Sequence, residues 1–327
     1  MNKNNSAIKR NSLLSVLRIF GLISVVFAGC GLSWGYAESE FTVDTSILDV
    51  IKYPGFDDYG RLIFPANDGY YGGRTLGALS LTWYSNIRPD KTVEIANYMR
   101  DHADAGDIIF YDIYTAEEKK ADPAKKDTGL FFFKGNSGEK VAIVNSGGGF
   151  VYVGAMHDSF PHALELSKKG YNAFALIYRP GVGTACEDLA RAIAFVFDHA
   201  DELQVDTKDY SLWGGSAGAR MAAWLGAHGT ESYGENAYPR PSVVIMQYTA
   251  LSEVTGNEPP TYNCVGTKDE IADYRIMEYR IRAIRAKGID AEIDVFDGLS
   301  HGFGLGTGTV AEGWLGNAIV FWKGHMK

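Results

Sequence analysis

The chain has 327 residues, of which 46% are hydrophobic and 22% charged, and its formal net charge is −9. The length is sufficient for one large core without a second independent domain. The acidic balance excludes a surface that binds nucleic-acid phosphates by charge.

The first 37 residues have the features of a secretory signal peptide. Four basic side chains and no acidic ones precede Glu38, so removing this segment would change the net charge from −9 to −13. The apolar run 19–28 is too short to span a bilayer, and Gly35-Tyr36-Ala37 offers a small-x-small cleavage site. We therefore expect an exported protein.

A bacterial lipobox is the alternative processing site. Phe27-Ala28-Gly29-Cys30 would end the signal at residue 29 and leave a lipid anchor on Cys30, although Phe27 stands where leucine is usual. Contact with a membrane is expected only through the signal or this anchor. The remaining cysteines, Cys186 and Cys264, are predicted to be buried apolar residues and not a disulfide.

Residues 38–107 show no periodic pattern that fixes a fold, apart from a predicted helix at Thr92–His102. They are rich in Gly, Tyr and Asp. We interpret them as an N-terminal extension that forms a lid or pocket wall over a catalytic domain at 108–327.

From residue 108 the chain alternates predicted strands and helices. Two edge strands, Ile108–Tyr114 and Leu130–Phe133, flank a polar connection at 117–127. The predicted strands that follow are 140–145, 171–178, 210–213, 242–248, 261–265 and 291–296, and the predicted helices are 161–169, 187–200, 219–227, 274–287 and 311–322. This alternation predicts an α/β fold with a mostly parallel central sheet and helices on both faces.

The most informative motif is Gly214-Gly215-Ser216-Ala217-Gly218, which reads G-x-S-x-G. It lies between a predicted strand and a predicted helix, the setting of a nucleophile elbow. A serine hydroxyl needs a base within hydrogen-bond reach, and that base needs an orienting acceptor. The motif therefore predicts Ser216 as a catalytic nucleophile with partners further along the chain.

His301 is the predicted base, because it follows the last strand on a glycine-flanked loop. His228 falls at the far end of the helix after the motif, and His325 is in the C-terminal tail. Asp269 is the predicted acid, since it follows a strand end in Gly266-Thr267-Lys268-Asp269. Asp297 is the main alternative and Glu270 the next.

Asp269 also has a purely structural interpretation as a helix N-cap. We expect that one carboxylate does not easily both cap a helix and orient a histidine.

Ser146-Gly147-Gly148-Gly149-Phe150 follows the strand 140–145 and predicts an oxyanion loop. The amides of Gly148, Gly149 and Ala217 are the predicted donors. The neighbouring His157-Asp158 pair and His162 lack a third ligand at a workable spacing, so we predict no metal site.

Together these motifs resemble the α/β-hydrolases of the esterase/lipase superfamily, in the branch that carries H-G-G-G, G-x-S-x-G and H-G-F motifs. That branch includes hormone-sensitive-lipase-like and carbohydrate acetyl esterases. The resemblance covers about residues 129–327, and Tyr178-Arg179 and His301-Gly302-Phe303 belong to it. Ser146 departs from the pattern, since it stands where the family has a bracing histidine.

The resemblance implies a serine carboxylesterase that acts on a small-acyl ester, such as an acetylated carbohydrate, with no cofactor and no metal. Phe150, Tyr152 and Met156 are expected to close the acyl pocket. Two alternatives are a prolyl-oligopeptidase-like peptidase, for which 38–107 is too short to supply the usual propeller domain, and a catalytically silent binding protein.

Overall fold

A computed structural model of the protein describes residues 40–65 and 68–327. Among them are a short hairpin and a main sheet. The hairpin strands are β1 (Tyr71–Gly72) and β2 (Ser80–Leu81). The main sheet consists of β3 (Phe110–Tyr111), β4 (Gly129–Phe133), β5 (Lys140–Asn145), β6 (Asn172–Ile177), β7 (Asp206–Gly215), β8 (Val243–Gln247), β9 (Thr261–Gly266) and β10 (Ala291–Phe296).

The main sheet has the strand order β10-β9-β8-β7-β5-β6-β4-β3. Its first six strands run parallel, and β4 and β3 pair antiparallel at one edge. Every residue of β4, β6, β8 and β9 is buried, as expected for strands covered by helices on both faces. The predicted fold class, with antiparallel edge strands in the same sheet, is confirmed.

Helices connect the strands. They are α1 (Ile47–Ile51), α2 (Pro89–Asp104), α3 (Ala116–Ala121), α4 (Ala155–Asp158), α5 (Phe160–Lys168), α6 (Val182–Asp198), α7 (Ala200–Leu203), α8 (Ala217–His228), α9 (Tyr274–Ala286) and α10 (Trp314–Gly324). Short 3₁₀ turns occupy Pro54–Leu62, Asp68–Tyr70, Leu76–Ala78, Pro123–Asp127 and Thr230–Tyr233. Within the described residues, no helix combines the length and apolar character needed to cross a bilayer.

Several predicted elements have different bounds in the structure; β7 begins at Asp206 and α10 at Trp314, where the predicted starts are 210 and 311. The strand predicted at 108–114 is paired only over Phe110–Tyr111. The polar connection at 117–127 contains α3, whose Thr115–Glu118 capping box satisfies its first amides. Helix α6 begins at Val182, five residues before its predicted start. The prediction missed this first turn because Val182, Gly183 and Thr184 are weak helix formers.

The extension at 40–107 shares the hydrophobic core of the rest of the chain. Its buried side chains, among them Phe41, Val50, Phe56 and Ile95, belong to one cluster with those of the main sheet. The described residues form one compact unit from Glu40 to Lys327. The segment 71–88, between α2 and the first 3₁₀ turns, therefore has a fixed position relative to the sheet. The predicted signal peptide and Cys30 lie outside the described residues.

Candidate active site

Ser216 sits in the sharp turn between β7 and α8. Its backbone has φ 50° and ψ −115°, a conformation that costs a non-glycine residue about 1–3 kcal/mol. Gly215 must be glycine, since a Cβ there would lie 2.4 Å from an oxygen of Asp158. The turn places the serine hydroxyl at the N-terminus of α8, at the carboxyl end of the sheet.

The structure brings Ser216, His301 and Asp269 together. Ser216 Oγ lies 3.2 Å from His301 Nε2, and His301 Nδ1 lies 2.7 Å from Asp269 Oδ2. Both His301 and Asp269 are buried. The network assigns the Nδ1–H tautomer, with Nδ1 donating to the carboxylate and Nε2 accepting from the serine hydroxyl.

The Asp269 carboxylate accepts hydrogen bonds both from His301 and from the turn that follows Asp269. Oδ2 accepts from His301, while Oδ1 accepts from the amides of Ile271 and Ala272 at 2.9 and 2.7 Å. Asp269 caps no helix, because α9 begins at Tyr274 and its N-cap is Asp273, so the interpretation of Asp269 as a helix N-cap was wrong. The other acids lie elsewhere: Asp297 accepts from Thr267 Oγ1 at 3.0 Å, and Glu270 is exposed.

The loop that carries His301 is held by the N-terminal extension. Ser85 Oγ donates to the carbonyl of His301 at 2.7 Å, and the Ser85 amide donates to the carbonyl of Gly302 at 3.1 Å. Tyr248 packs edge-on against the imidazole, with ring centroids 5.0 Å apart. These contacts come from residues other than Ser216 and Asp269, and they fix the position of the His301 imidazole. They were not predicted from the sequence.

The glycine loop after β5 presents unpaired amides beside Ser216. Gly148 has φ 125°, and a Cβ there would lie 2.2 Å from the carbonyl oxygen of Tyr152. In the described part of the chain, the amides of Gly148, Gly149 and Ala217 donate to no protein acceptor. Ala217 is the first residue of α8, where the helix leaves its amide free. The three predicted oxyanion donors are therefore available to a ligand.

Asp158 holds this glycine loop in place through the hydrogen bonds that its carboxylate accepts. It is 1% exposed and accepts from the Gly147 amide at 2.5 Å, from the Tyr84 hydroxyl at 2.9 Å and from the Tyr248 hydroxyl. Burial, and then the Asp158 carboxylate, raise the pKa of Tyr84 and Tyr248 well above its ordinary value, which keeps both hydroxyls protonated as donors. Ser146, which stands where the resemblance leads us to expect a histidine, has its Oγ 2.6 Å from Ser159 Oγ.

The two histidines near Asp158, His157 and His162, both make contacts within the fold. His157 Nε2 lies 2.9 Å from the Gly302 carbonyl, and burial lowers the pKa of its imidazole. His162 packs against Trp314, and burial lowers its pKa to about 4. Among residues 40–65 and 68–327, no three His, Cys, Asp or Glu side chains form a group that could hold a metal ion. Cys186 and Cys264 are buried free thiols.

Asp158→Asn is expected to lower kcat by at least about 10-fold while changing KM little. The amide keeps one oxygen acceptor for three donors, so the loop loses its fixed position, and oxyanion donors act mainly in the transition state. The free energy of unfolding should also fall by about 1–3 kcal/mol. Kinetics with a soluble aryl ester and thermal unfolding would measure both effects.

The control is Asp188→Asn, which alters a fully buried carboxylate paired with Arg179 outside the site. It should destabilise the fold without lowering kcat per folded molecule. An Asp158→Asn variant with wild-type kcat would contradict the bracing role.

Ser216 opens into a pocket of about 200 Å³. Its other lining residues include Phe150, Arg220, Tyr248, Ile271, Ala272 and His301. Of the three side chains expected to close the acyl pocket, only Phe150 lines it. Tyr152 instead stacks on Tyr70, and the short helix α4 turns Met156 away from the serine, toward a cavity beside Pro161.

Trp83 lies over the oxyanion loop. Its side chain is 44% exposed, and its backbone is left-handed, with φ 71°. A Cβ built on Gly149 would lie 2.9 Å from the indole ring, and one on Gly302 would lie 2.7 Å from the Trp83 carbonyl. Tyr70 and Tyr152 pack against the indole at centroid distances of 6.2 and 5.8 Å. An exposed aromatic ring is thus fixed between the oxyanion loop and the His301 loop.

Comparison with known proteins gives matches of three kinds. The BD-FAE family model matches residues 131–244. A propionate-bound esterase from Thermogutta terrifontis is 20% identical, with a TM-score of 0.55, over 66% of this chain and 93% of that one. An acetyl ester-xyloside bifunctional hydrolase from Caldicellulosiruptor lactoaceticus is also 20% identical, with a TM-score of 0.58, over 67% of this chain and 97% of that one.

A curated relative is the endo-1,4-beta-xylanase B of Butyrivibrio fibrisolvens, 23% identical over 216 residues. The match covers 53% of this chain and 34% of the xylanase, so the chain spans about a third of the length of that relative. At these identities the solved structures establish the fold. The predicted resemblance to α/β-hydrolases of the esterase type is confirmed.

Proposed function

We propose that the protein is a serine carboxylesterase that removes a small acyl group from a carbohydrate. The observation that carries this proposal is the hydrogen-bonded chain from Ser216 Oγ through His301 to Asp269, beside three free amides. A nucleophile, a base with its orienting acceptor, and oxyanion donors are the parts that acyl transfer needs.

In this proposal, Ser216 Oγ attacks the ester carbonyl carbon while His301 Nε2 takes the hydroxyl proton. Negative charge develops on the carbonyl oxygen, where the amides of Gly148, Gly149 and Ala217 stabilise it. Asp269 stabilises the imidazolium and keeps its orientation. His301 returns the proton to the leaving alcohol, and an acyl-enzyme forms. Water, deprotonated by His301, then releases the acid and restores Ser216.

The carbohydrate part of the proposal is supported by Trp83. Exposed aromatic rings bind the apolar faces of sugar rings, and Trp83 is fixed beside the oxyanion loop in a strained backbone conformation. The names of two similar proteins, a xylanase and an acetyl ester-xyloside hydrolase, agree with this substrate class.

Export through residues 1–37 is a further part of the proposal. It rests on the basic segment, the short apolar run and the small-x-small site of the sequence. Cell fractionation followed by N-terminal analysis tests it: Glu38 as the first residue outside the cytoplasm indicates release, lipidated Cys30 in the membrane fraction indicates an anchor, and protein confined to the cytoplasm with an intact Met1 contradicts export.

We expect acetyl esters to be hydrolysed faster than octanoyl esters, because Phe150 lines the pocket beside Ser216 and each methylene that does not fit costs about 1–3 kcal/mol. Trp83→Ala should raise KM for an acetylated xylo-oligosaccharide about 10-fold while changing KM for p-nitrophenyl acetate much less, since only the sugar loses a stacking partner. Steady-state kinetics on the three substrates measure both effects.

Tyr279→Ala is the matched control, because Tyr279 is an aromatic residue, 58% exposed, on α9. It should leave all three substrates unaffected. A flat or rising profile from acetyl to octanoyl would contradict the small-acyl assignment. Equal effects of Trp83→Ala on the sugar ester and the aryl ester would contradict the carbohydrate assignment.

A further inference from the structure

Arg220 places a cation in the same pocket as the nucleophile. It is the fourth residue of α8 and follows Ser216 by four positions. Residues four apart share one helix face, and side chains on a helix lean toward its N-terminus, which is the end that carries Ser216. Both residues line the pocket with His301.

The guanidinium of Arg220 has no anionic partner in the described part of the chain. Nε donates to Thr249 Oγ1 at 3.3 Å and Nη2 to the Ala250 carbonyl at 3.5 Å, and no carboxylate oxygen lies within 4.0 Å. Both acceptors are neutral, and both distances are long for hydrogen bonds. By contrast, Arg179 bonds the carboxylates of Asp188 and Asp122 at 2.8 and 2.7 Å.

The position does not favour a cation for the stability of the helix. The N-terminal turn of a helix carries partial positive charge, so arginine is disfavoured there and an anion is favoured. The two buried carboxylates of the site are occupied by other donors: Asp158 by Gly147, Tyr84 and Tyr248, and Asp269 by His301 and two amides. Among the described residues, the pocket therefore combines a helix N-terminus, free amides and a guanidinium without an anionic partner.

We propose that Arg220 binds a carboxylate carried by the ester substrate, so that the preferred substrate is an acidic ester. A planar guanidinium matches a carboxylate with two parallel hydrogen bonds, and Nη1, which has no protein acceptor among the described residues, remains open to one. The carboxylate belongs either to the alcohol, as in an acetylated uronic acid, or to the acyl group, as in a dicarboxylic half-ester. This inference rests on the proposed function and names its substrate class.

Two substrate pairs distinguish the two sources of the carboxylate. The first pair is an acetylated methyl glucuronoside and the matching acetylated methyl glucoside. The second pair is p-nitrophenyl hemisuccinate and p-nitrophenyl butyrate. In one pair, the wild type should show kcat/KM higher by roughly 10- to 100-fold for the acidic member, which is the range of a hydrogen bond to a charged group.

Arg220→Gln should reduce this acidic-to-neutral ratio to near one, and Arg220→Lys should retain part of it, since lysine keeps the charge without the planar fork. In the wild type the ratio should fall as NaCl is raised, because salt screens the attraction. Because the salt dependence is measured on the wild type, it tests the proposal even where a variant fails to fold. Arg282→Gln, an equal change of charge on the exposed face of α9, should leave the ratio unchanged.

The outcomes separate the two proposals. Hydrolysis of neutral esters with no acidic preference in either pair overturns the role of Arg220 and leaves the esterase proposal standing. An acidic preference that survives in Arg220→Gln, or that is insensitive to salt, also overturns the role of Arg220. Failure of the wild type to hydrolyse any of the four esters overturns the esterase proposal and this inference with it.

Discussion

Ser216→Ala is expected to abolish ester hydrolysis while the protein remains folded. Without Oγ there is no atom at the turn to form the acyl-enzyme, and the imidazole of His301 loses its proton donor. Activity should fall below about 1% of wild type, because what remains of catalysis is binding and the oxyanion donors. Release of p-nitrophenol from an acetyl ester and circular dichroism measure activity and folding.

Ser232→Ala is the control, because Ser232 lies in the 3₁₀ turn after α8 and is exposed. Its activity should match wild type. A Ser216→Ala variant that retains a substantial rate would show that the turn is not the source of the nucleophile.

Asp269→Asn is expected to lower kcat by about 10²–10⁴-fold. The carboxylate accepts three hydrogen bonds, from His301 Nδ1 and from the amides of Ile271 and Ala272. An asparagine keeps only one acceptor oxygen. If that oxygen stays on the two amides, its NH₂ group faces Nδ1 and selects the tautomer in which Nε2 carries the proton. The imidazole then accepts no proton from Ser216.

Asp297→Asn is the matched comparison, because Asp297 is the other carboxylate that the sequence places near His301. It bonds Thr267 on the exposed side of the loop, so its replacement should change kcat by less than about 3-fold. A larger loss in Asp297→Asn than in Asp269→Asn would move the orienting acid onto the His301 loop and contradict the geometry described above.

Local sequence patterns predict the part of the site that comes from strand ends. Ser216, Asp269 and His301 each follow a strand, and the ends of parallel strands meet at one edge of the sheet. The glycine loop at 147–149 follows the same rule after β5. These positions can be predicted from the sequence because each strand, the turn after it and the next helix are adjacent in the chain.

The supporting contacts could not be predicted, because they join residues distant in sequence. Tyr84 reaches Asp158 across 74 positions, and Ser85 reaches His301 across 216. The segment 71–88 has no periodic hydrophobic pattern, so the sequence gives no indication of where it packs. Nothing in the local sequence indicates that the Asp158 carboxylate accepts from the Gly147 amide, 11 positions away.

The turn that holds Asp269 could not be predicted either. The sequence indicates a possible helix N-cap at Asp269, but α9 begins only at Tyr274, and its N-cap is Asp273. A carboxylate has two oxygens that face different directions. Here the amides of Ile271 and Ala272 take one oxygen and His301 takes the other. The hydrogen bonds from these two amides fix the rotamer of the Asp269 side chain, so the oxygen that faces His301 is held in place.

The proposed function depends on Ser216 as the nucleophile that accepts the acyl group. The most direct test is to label the protein with a fluorophosphonate, which reacts with activated serines, and to locate the adduct by tandem mass spectrometry of the digested protein. We expect an adduct on Ser216 alone, absent from Ser216→Ala and suppressed by an excess of an acetyl ester substrate. An adduct on a different residue, or an unlabelled protein that still hydrolyses the ester, would contradict it.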